Sequence, residues 1–144
     1  MNLVSIRIIT EDVRRLVDFY EQVTGTTAIQ YTDDFAELKT NTATLAIGST
    51  RTLRFFGGEA VARASHNRTA IIEFRVDNVD HMYTNLGDFL QNCIVQQPTL
   101  MPWGNKSFLF RDPDGNLVNF FSIGTPERTR EILAIDDIKH ILLP

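Results

Sequence analysis

From Leu3 to Thr10, Val4, Ile6 and Ile8 alternate with Ser5, Arg7 and Ile9, and this period of two, rich in β-branched residues, predicts a strand. Asp12 then stands where a helix N-cap belongs. Val13, Leu16, Val17 and Tyr20 recur at helical spacing, Phe19 widens the apolar face, and Gly25 should end the helix. Short strands are predicted near 27–32, 35–40, 42–48 and 52–57, parted by Asp33-Asp34, Asn41 and Gly48-Ser49. A polar, small-residue stretch follows and reads as a linker. The order then begins again: a strand over 71–76, an N-cap at Asn78, and a helix over 79–90 carrying Val79, Met82, Tyr83, Leu86 and Phe89. Strands near 94–100, 106–111 and 117–123 complete the second round.

The two rounds align. Matching Asp12-Val13 with Asn78-Val79 pairs Ser5-Ile6-Arg7-Ile8 with Ile71-Ile72-Glu73-Phe74. Matching Arg54-Phe55-Phe56 with Asn119-Phe120-Phe121 requires a shift of one residue, as a single loop deletion would give. The expected fold class is therefore α+β, with two tandem βαβββ modules and a short C-terminal helical tail. Module one is expected over 1–58, the linker over 59–69, module two over 70–124, and the helical extension over 125–144. Modules of this size are marginal alone, so they should pack together or swap between chains, and a homodimer is expected. Asp112-Pro113-Asp114-Gly115-Asn116 lacks the further ligands and terminal Glu of a calcium loop and reads instead as a tight hairpin.

Composition narrows the function. At 144 residues and 43% hydrophobic, the chain needs no disulfide or metal to fold. Fourteen Lys and Arg against eighteen Asp and Glu, a net charge of −4, argue against nucleic acid or an anionic membrane as partner. No apolar run is long enough to span a membrane, and the N-terminal stretch does not read as a signal peptide, so a cytoplasmic location is expected. The lone Cys93 has no strand-borne His to serve as its base, and no nucleophile elbow, P-loop or dinucleotide fingerprint occurs. Tyr20 and Tyr31 could do acid–base work in principle, but nothing in the sequence places them against a substrate.

Three segments, IRIITEDVRRLVDFYEQVTG, IIEFRVDNVDHMYTNL and WGNKSFLFRDPDGNLVNFF, carry a resemblance to the vicinal oxygen chelate superfamily of glyoxalases, extradiol dioxygenases and bleomycin-resistance proteins. The resemblance spans about residues 3–123. It implies a metal held by the first and last strands of each module, at Ser5 and Ile71 on the first strands and at Asn119 and Arg54 on the last. Isoleucine has no donor atom and a guanidinium repels a cation, so these four should not make a divalent site. The histidines do not replace them: His66 lies in the linker, His81 on the first turn of the second helix, and His140 in the tail. No metal and no cofactor are expected.

The resemblance implies that the two modules form a concave mixed sheet, and in that geometry Ser5, Arg7, Ile9, Arg54, Ile71, Glu73, Arg75, Leu117, Asn119 and Phe121 should point into the concave face. Arg7 and Glu73, at equivalent module positions, are expected to pair or to meet a ligand's counter-charge. Trp103, between Pro102 and Gly104, is expected at the cavity mouth, where its face can stack on a planar ligand with help from Phe56 and Phe121. Phe35, Phe55, Phe108, Phe110 and Phe120 fall out of phase and read as packing between sheet and helices. The expected ligand set is Ser5, Arg7, Arg54, Phe56, Glu73, Trp103, Asn119 and Phe121. The function expected is metal-free sequestration of a planar or aromatic small molecule, as in the bleomycin-resistance branch. The alternative is a lyase, isomerase or dioxygenase with a displaced metal site or with Glu73 as general base.

Overall fold

The computed structural model describes residues 1–124. The expected helices of the tail lie outside the described residues. The first half runs β1 (Ser5–Thr10), α1 (Val13–Thr24), β2 (Ile29–Thr32), β3 (Phe35–Lys39) and β4 (Thr44–Ser49), followed by a 3-10 helix (Thr50–Phe56). The second half runs β5 (Ile71–Arg75), α2 (Val79–Leu90), β6 (Ile94–Leu100), β7 (Lys106–Arg111) and β8 (Leu117–Ser122). Two four-stranded sheets result, ordered β1-β4-β3-β2 and β5-β8-β7-β6. In each, the first strand lies parallel to the last and the remaining pairs are antiparallel. The fold is the α+β tandem βαβββ arrangement. Its contacts divide into two units, Met1–Thr69 with the hairpin Asp112–Asn116, and Ala70–Arg111 with the strand that begins at Leu117.

Local signals place the helices. The Asp12 carboxylate accepts the backbone N–H of Arg15 at 3.1 Å, and Gly25 adopts φ 67°, a left-handed cap that glycine takes without a Cβ penalty. The Asn78 amide oxygen accepts the His81 N–H at 3.0 Å, so the first-turn histidine serves the cap through its backbone. On α1, Val13, Leu16, Val17, Phe19, Tyr20 and Val23 are buried, matching Ala36, Leu38, Leu45 and Ile47 of the sheet. In the second unit, Phe108, Phe110, Val118 and Phe120 are buried, and Tyr83 of α2 meets Phe108 edge-on at 5.3 Å. Phe89, expected on the apolar face of α2, is half exposed, and Leu90 fills the buried position instead.

The hairpin at 112–116 is tied into the first unit. Asp112 is buried, and its Oδ1 accepts the backbone N–H groups of Asp114 and Asn116, each at 2.9 Å. Its Oδ2 accepts the Asn116 amide at 2.8 Å and the Tyr20 hydroxyl at 2.7 Å. Burial first, and the Asp112 carboxylate second, hold the Tyr20 hydroxyl far above the usual phenol range. Tyr20 is therefore a fixed hydrogen-bond donor, which excludes the acid–base role open to it in principle.

The largest departure from expectation is the segment 52–57, which is part of a 3-10 helix and not a strand. β4 already has ladders to β1 on one side and β3 on the other, so a strand continuing from it has no adjacent free edge. The chain turns instead. The Ser49 hydroxyl donates to Asp34 Oδ1 at 2.7 Å, Arg51 Nε donates to the same oxygen at 2.8 Å, and the Thr52 hydroxyl donates to the Ser49 carbonyl at 2.7 Å. Only Leu53 goes inward; Phe55 is 88% exposed.

The hydrogen bond from Arg51, then that from Ser49, holds the Asp34 carboxyl below its ordinary value. A depressed folded-state pKa contributes stability that is present above the unfolded-state value and is lost as pH falls through the folded one. In Arg51→Ala, NMR titration of the Asp34 carboxyl carbon should give a midpoint moved up toward that of a free aspartate. An unchanged midpoint would show that Arg51 does not hold it.

Candidate ligand-binding site

The register fixes which residues share the face of the first sheet turned away from the α1 core. Ser5, Thr44 and Lys39 form one row, Arg7, Ala46 and Glu37 the next, and Ile9, Gly48 and Phe35 the third. On this face the Arg7 guanidinium lies over the Phe35 ring at 4.7 Å and over the Phe56 ring at 4.8 Å. Tyr31 stacks on Phe35 with centroids 5.9 Å apart and planes at 25°. The 3-10 helix carries Phe56 to this place, so the Asp34–Ser49–Arg51 tether indirectly positions part of the cluster. Each exposed cation–π contact contributes about 0.5–1 kcal/mol.

Glycine at position 48 leaves room for the cluster. A Cβ there would meet Thr52 Oγ1 at 3.0 Å and Arg7 Cδ at 3.4 Å, so the arginine stem lies directly across the bare strand. Lys39 stands on the same face with its Nζ 3.8 Å from Glu37 Oε1. The Tyr31 hydroxyl, and after it Glu37, raise the Lys39 ammonium above its ordinary value and keep it charged.

On the corresponding face of the second sheet, Glu73, Asn119 and Leu109 form one row and Arg75, Phe121 and Ser107 another. Asn119 is 8% exposed, and its amide donates to Glu73 Oε2 at 2.9 Å. Its Oδ1 is buried without a hydrogen-bond partner. Trp103 lies in the β6–β7 connection, 43% exposed, in a turn closed by the Gly104 N–H donating to the Met101 carbonyl at 2.9 Å.

Several expected placements change. Arg54 is not on a last strand; it is exposed on the 3-10 helix, its Nε 3.7 Å from Glu59 Oε1. Arg7 is in register with Ala46, as Glu73 is with Asn119, so Ala46 and not Arg54 is the first-module counterpart of Asn119. Phe56 reaches the face from the 3-10 helix and not from a strand. Phe35, expected between sheet and helix, is on the open face beneath Arg7, and Phe55 belongs to no core. A signal for Phe35 existed: Ala36 and Leu38 alternate with Glu37 and Lys39, and Phe35 is in phase with the polar set. Tyr31 had no such signal, because its role follows from its partner.

The positions at which the family resemblance implies a metal thus become Ser5 and Ala46 in the first unit and Ile71 and Asn119 in the second. One hydroxyl, one amide oxygen and two hydrocarbon side chains do not make a donor set for a divalent ion. Among the described residues no group of three or more His, Cys, Asp and Glu could hold one. The orphaned Asn119 Oδ1 beside Glu73 supplies two oxygen ligands from one face, well short of a hard cation's need.

The comparisons with known proteins agree with the architecture. YraH of Bacillus subtilis (strain 168), an uncharacterized protein, is 23% identical over 127 residues, covering 85% of this chain and 99% of its own. A glyoxalase/bleomycin resistance protein/dioxygenase family enzyme from Burkholderia phytofirmans PsJN superposes with a TM-score of 0.74 at 16% identity, covering 85% of this chain and 99% of its own. A glyoxalase-related enzyme from Fulvimarina pelagi superposes with a TM-score of 0.69 at 17% identity, covering 84% and 87% of the two chains. No helix among the described residues is long and apolar enough to cross a membrane. The sequence profile of the Glyoxalase/Bleomycin resistance protein/Dioxygenase superfamily matches residues 2–120, and the chain belongs to that superfamily.

Proposed function

We propose that this protein is a metal-free binder that sequesters a planar or aromatic small molecule, in the manner of the bleomycin-resistance branch. The observation that carries the reading is the aromatic cluster on the open face of the first sheet, where the Arg7 guanidinium lies over Phe35 and Phe56 and Tyr31 stacks on Phe35. Exposed rings beside a fixed cation offer both apolar contact area and an orienting group. Ser5, on the same face of the first sheet, would add a polar contact, and Trp103, Phe121, Glu73 and Asn119 are proposed as ligand-contacting residues of the second unit by itself. The binding species would be a cytoplasmic homodimer, supported by the exposed Val4, Ile6 and Ile71 along or beside the edge strands β1 and β5.

Calorimetric titration of the full chain with a panel of planar aromatics tests this, with light scattering on the same samples reading the dimer. The best binder should lose roughly tenfold in affinity in Phe56→Ala. A panel-wide lack of binding would remove the reading. One observation favours the enzymatic alternative, a lyase, isomerase or dioxygenase with a displaced metal site or Glu73 as general base: Asn119 holds the Glu73 carboxylate at 2.9 Å on an open face.

A further inference from the structure

We infer that the open face of the first sheet selects an anionic ligand, an aromatic carboxylate whose charged group is taken by Arg7. The inference rests on the reading of this face as a binding surface and adds the chemical class of what it binds. The guanidinium is located by the Phe35 and Phe56 rings, 4.7 and 4.8 Å from its centre, and its stem is seated on Gly48. Among the described residues, no carboxylate of its own unit forms an ion pair with it. Glu37 is with Lys39 at 3.8 Å, Glu59 with Arg54 at 3.7 Å, and Asp34 with Arg51 at 2.7 Å.

Contact with the rings engages the guanidinium's π face, whereas its five N–H donors lie in the guanidinium plane. Those donors form a fork that matches the two oxygens of a carboxylate. The stacked Tyr31 and Phe35 rings continue the surface away from Arg7 and offer a place for an aromatic ring joined to that carboxylate. Lys39, on the same face, is paired with Glu37, which leaves the Arg7 guanidinium as the group there that would take the carboxylate. A neutral aromatic would meet the same rings without satisfying the fork. A cationic one would be repelled.

The test is calorimetric titration of the full chain with 2-naphthoate and, separately, its neutral amide. The carboxylate should bind at least about tenfold more tightly than the amide. Arg7→Gln should abolish that preference, with the carboxylate losing more affinity than the amide. Arg7→Lys, which keeps the charge but not the planar fork, should retain part of it. Arg14→Gln, an exposed α1 residue paired with Asp18, should leave it unchanged. Equal affinities in the parent protein, or a preference that survives Arg7→Gln, would overturn the charge assignment while leaving the binding function intact. Binding of neither compound would overturn both.

Discussion

Asp112→Ala is expected to lower the stability of the chain by about 3–5 kcal/mol, a core-sized loss from a position in a five-residue hairpin. The reason is the number of donors that converge on one carboxylate. The Asp114 and Asn116 N–H groups, the Asn116 amide and the Tyr20 hydroxyl all donate to it within 2.7–2.9 Å. Asn116 and Tyr20 are buried, so removal of the carboxylate leaves donors that water does not readily reach. Each such orphan costs about 1–3 kcal/mol. Tyr20→Phe removes one donor and leaves the carboxylate with three, so it should cost only about 1–2 kcal/mol. Urea unfolding of the two single variants and the double variant checks the account. Tyr20→Phe should cost markedly less in the Asp112→Ala background than in the parent, because the two groups share one bond. A loss below about 1 kcal/mol for Asp112→Ala would mean that solvent or a rearranged loop satisfies the donors.

Phe120→Ala should destabilise by about 3–5 kcal/mol, whereas Phe55→Ala should stay within about 0.5 kcal/mol of the parent. The sequence alignment treats these two phenylalanines as equivalents, so the comparison directly tests the revised match between modules. Phe120 is 1% exposed and meets Phe74 edge-on at 5.6 Å and Phe110 edge-on at 5.0 Å. Its truncation opens a cavity among rings held in a β-sheet, where collapse is limited. Phe55 stands almost wholly in solvent on the 3-10 helix. Phe120→Leu, which restores most of the volume, should recover much of the loss. Thermal or urea midpoints with comparable losses for Phe55→Ala and Phe120→Ala would return 52–57 to the core as a strand.

The contrast between these residues shows what local pattern can determine. Period-two alternation placed β1, β3, β5, β7 and β8 to within a residue or two, and the helical spacing with Asp12, Asn78 and Gly25 bounded both helices. These signals are legible because caps, periodicity and left-handed glycine act within a few residues of chain. The repeat made the βαβββ plan visible, and the hairpin followed from turn chemistry. Phase within a strand also decides the side of β1 that carries Arg7 and, separately, the side of β5 and β8 that carries Glu73 and Asn119.

Only tertiary structure decided the rest. Thr52, Arg54 and Phe56 alternate as a strand would, but β4 has no free edge beside it, and edge availability is a property of the assembled sheet. That one fact moved Arg54 off the site, put Ala46 in register with Arg7, and carried Phe56 onto the guanidinium. Tyr20 and Asp112, 92 residues apart, likewise found each other through the fold. The sequence by itself determined which side chains each element presents on each face. Which faces and edges were already taken, and so what Arg7 and Asp112 touch, depended on long-range pairing that no local period encodes.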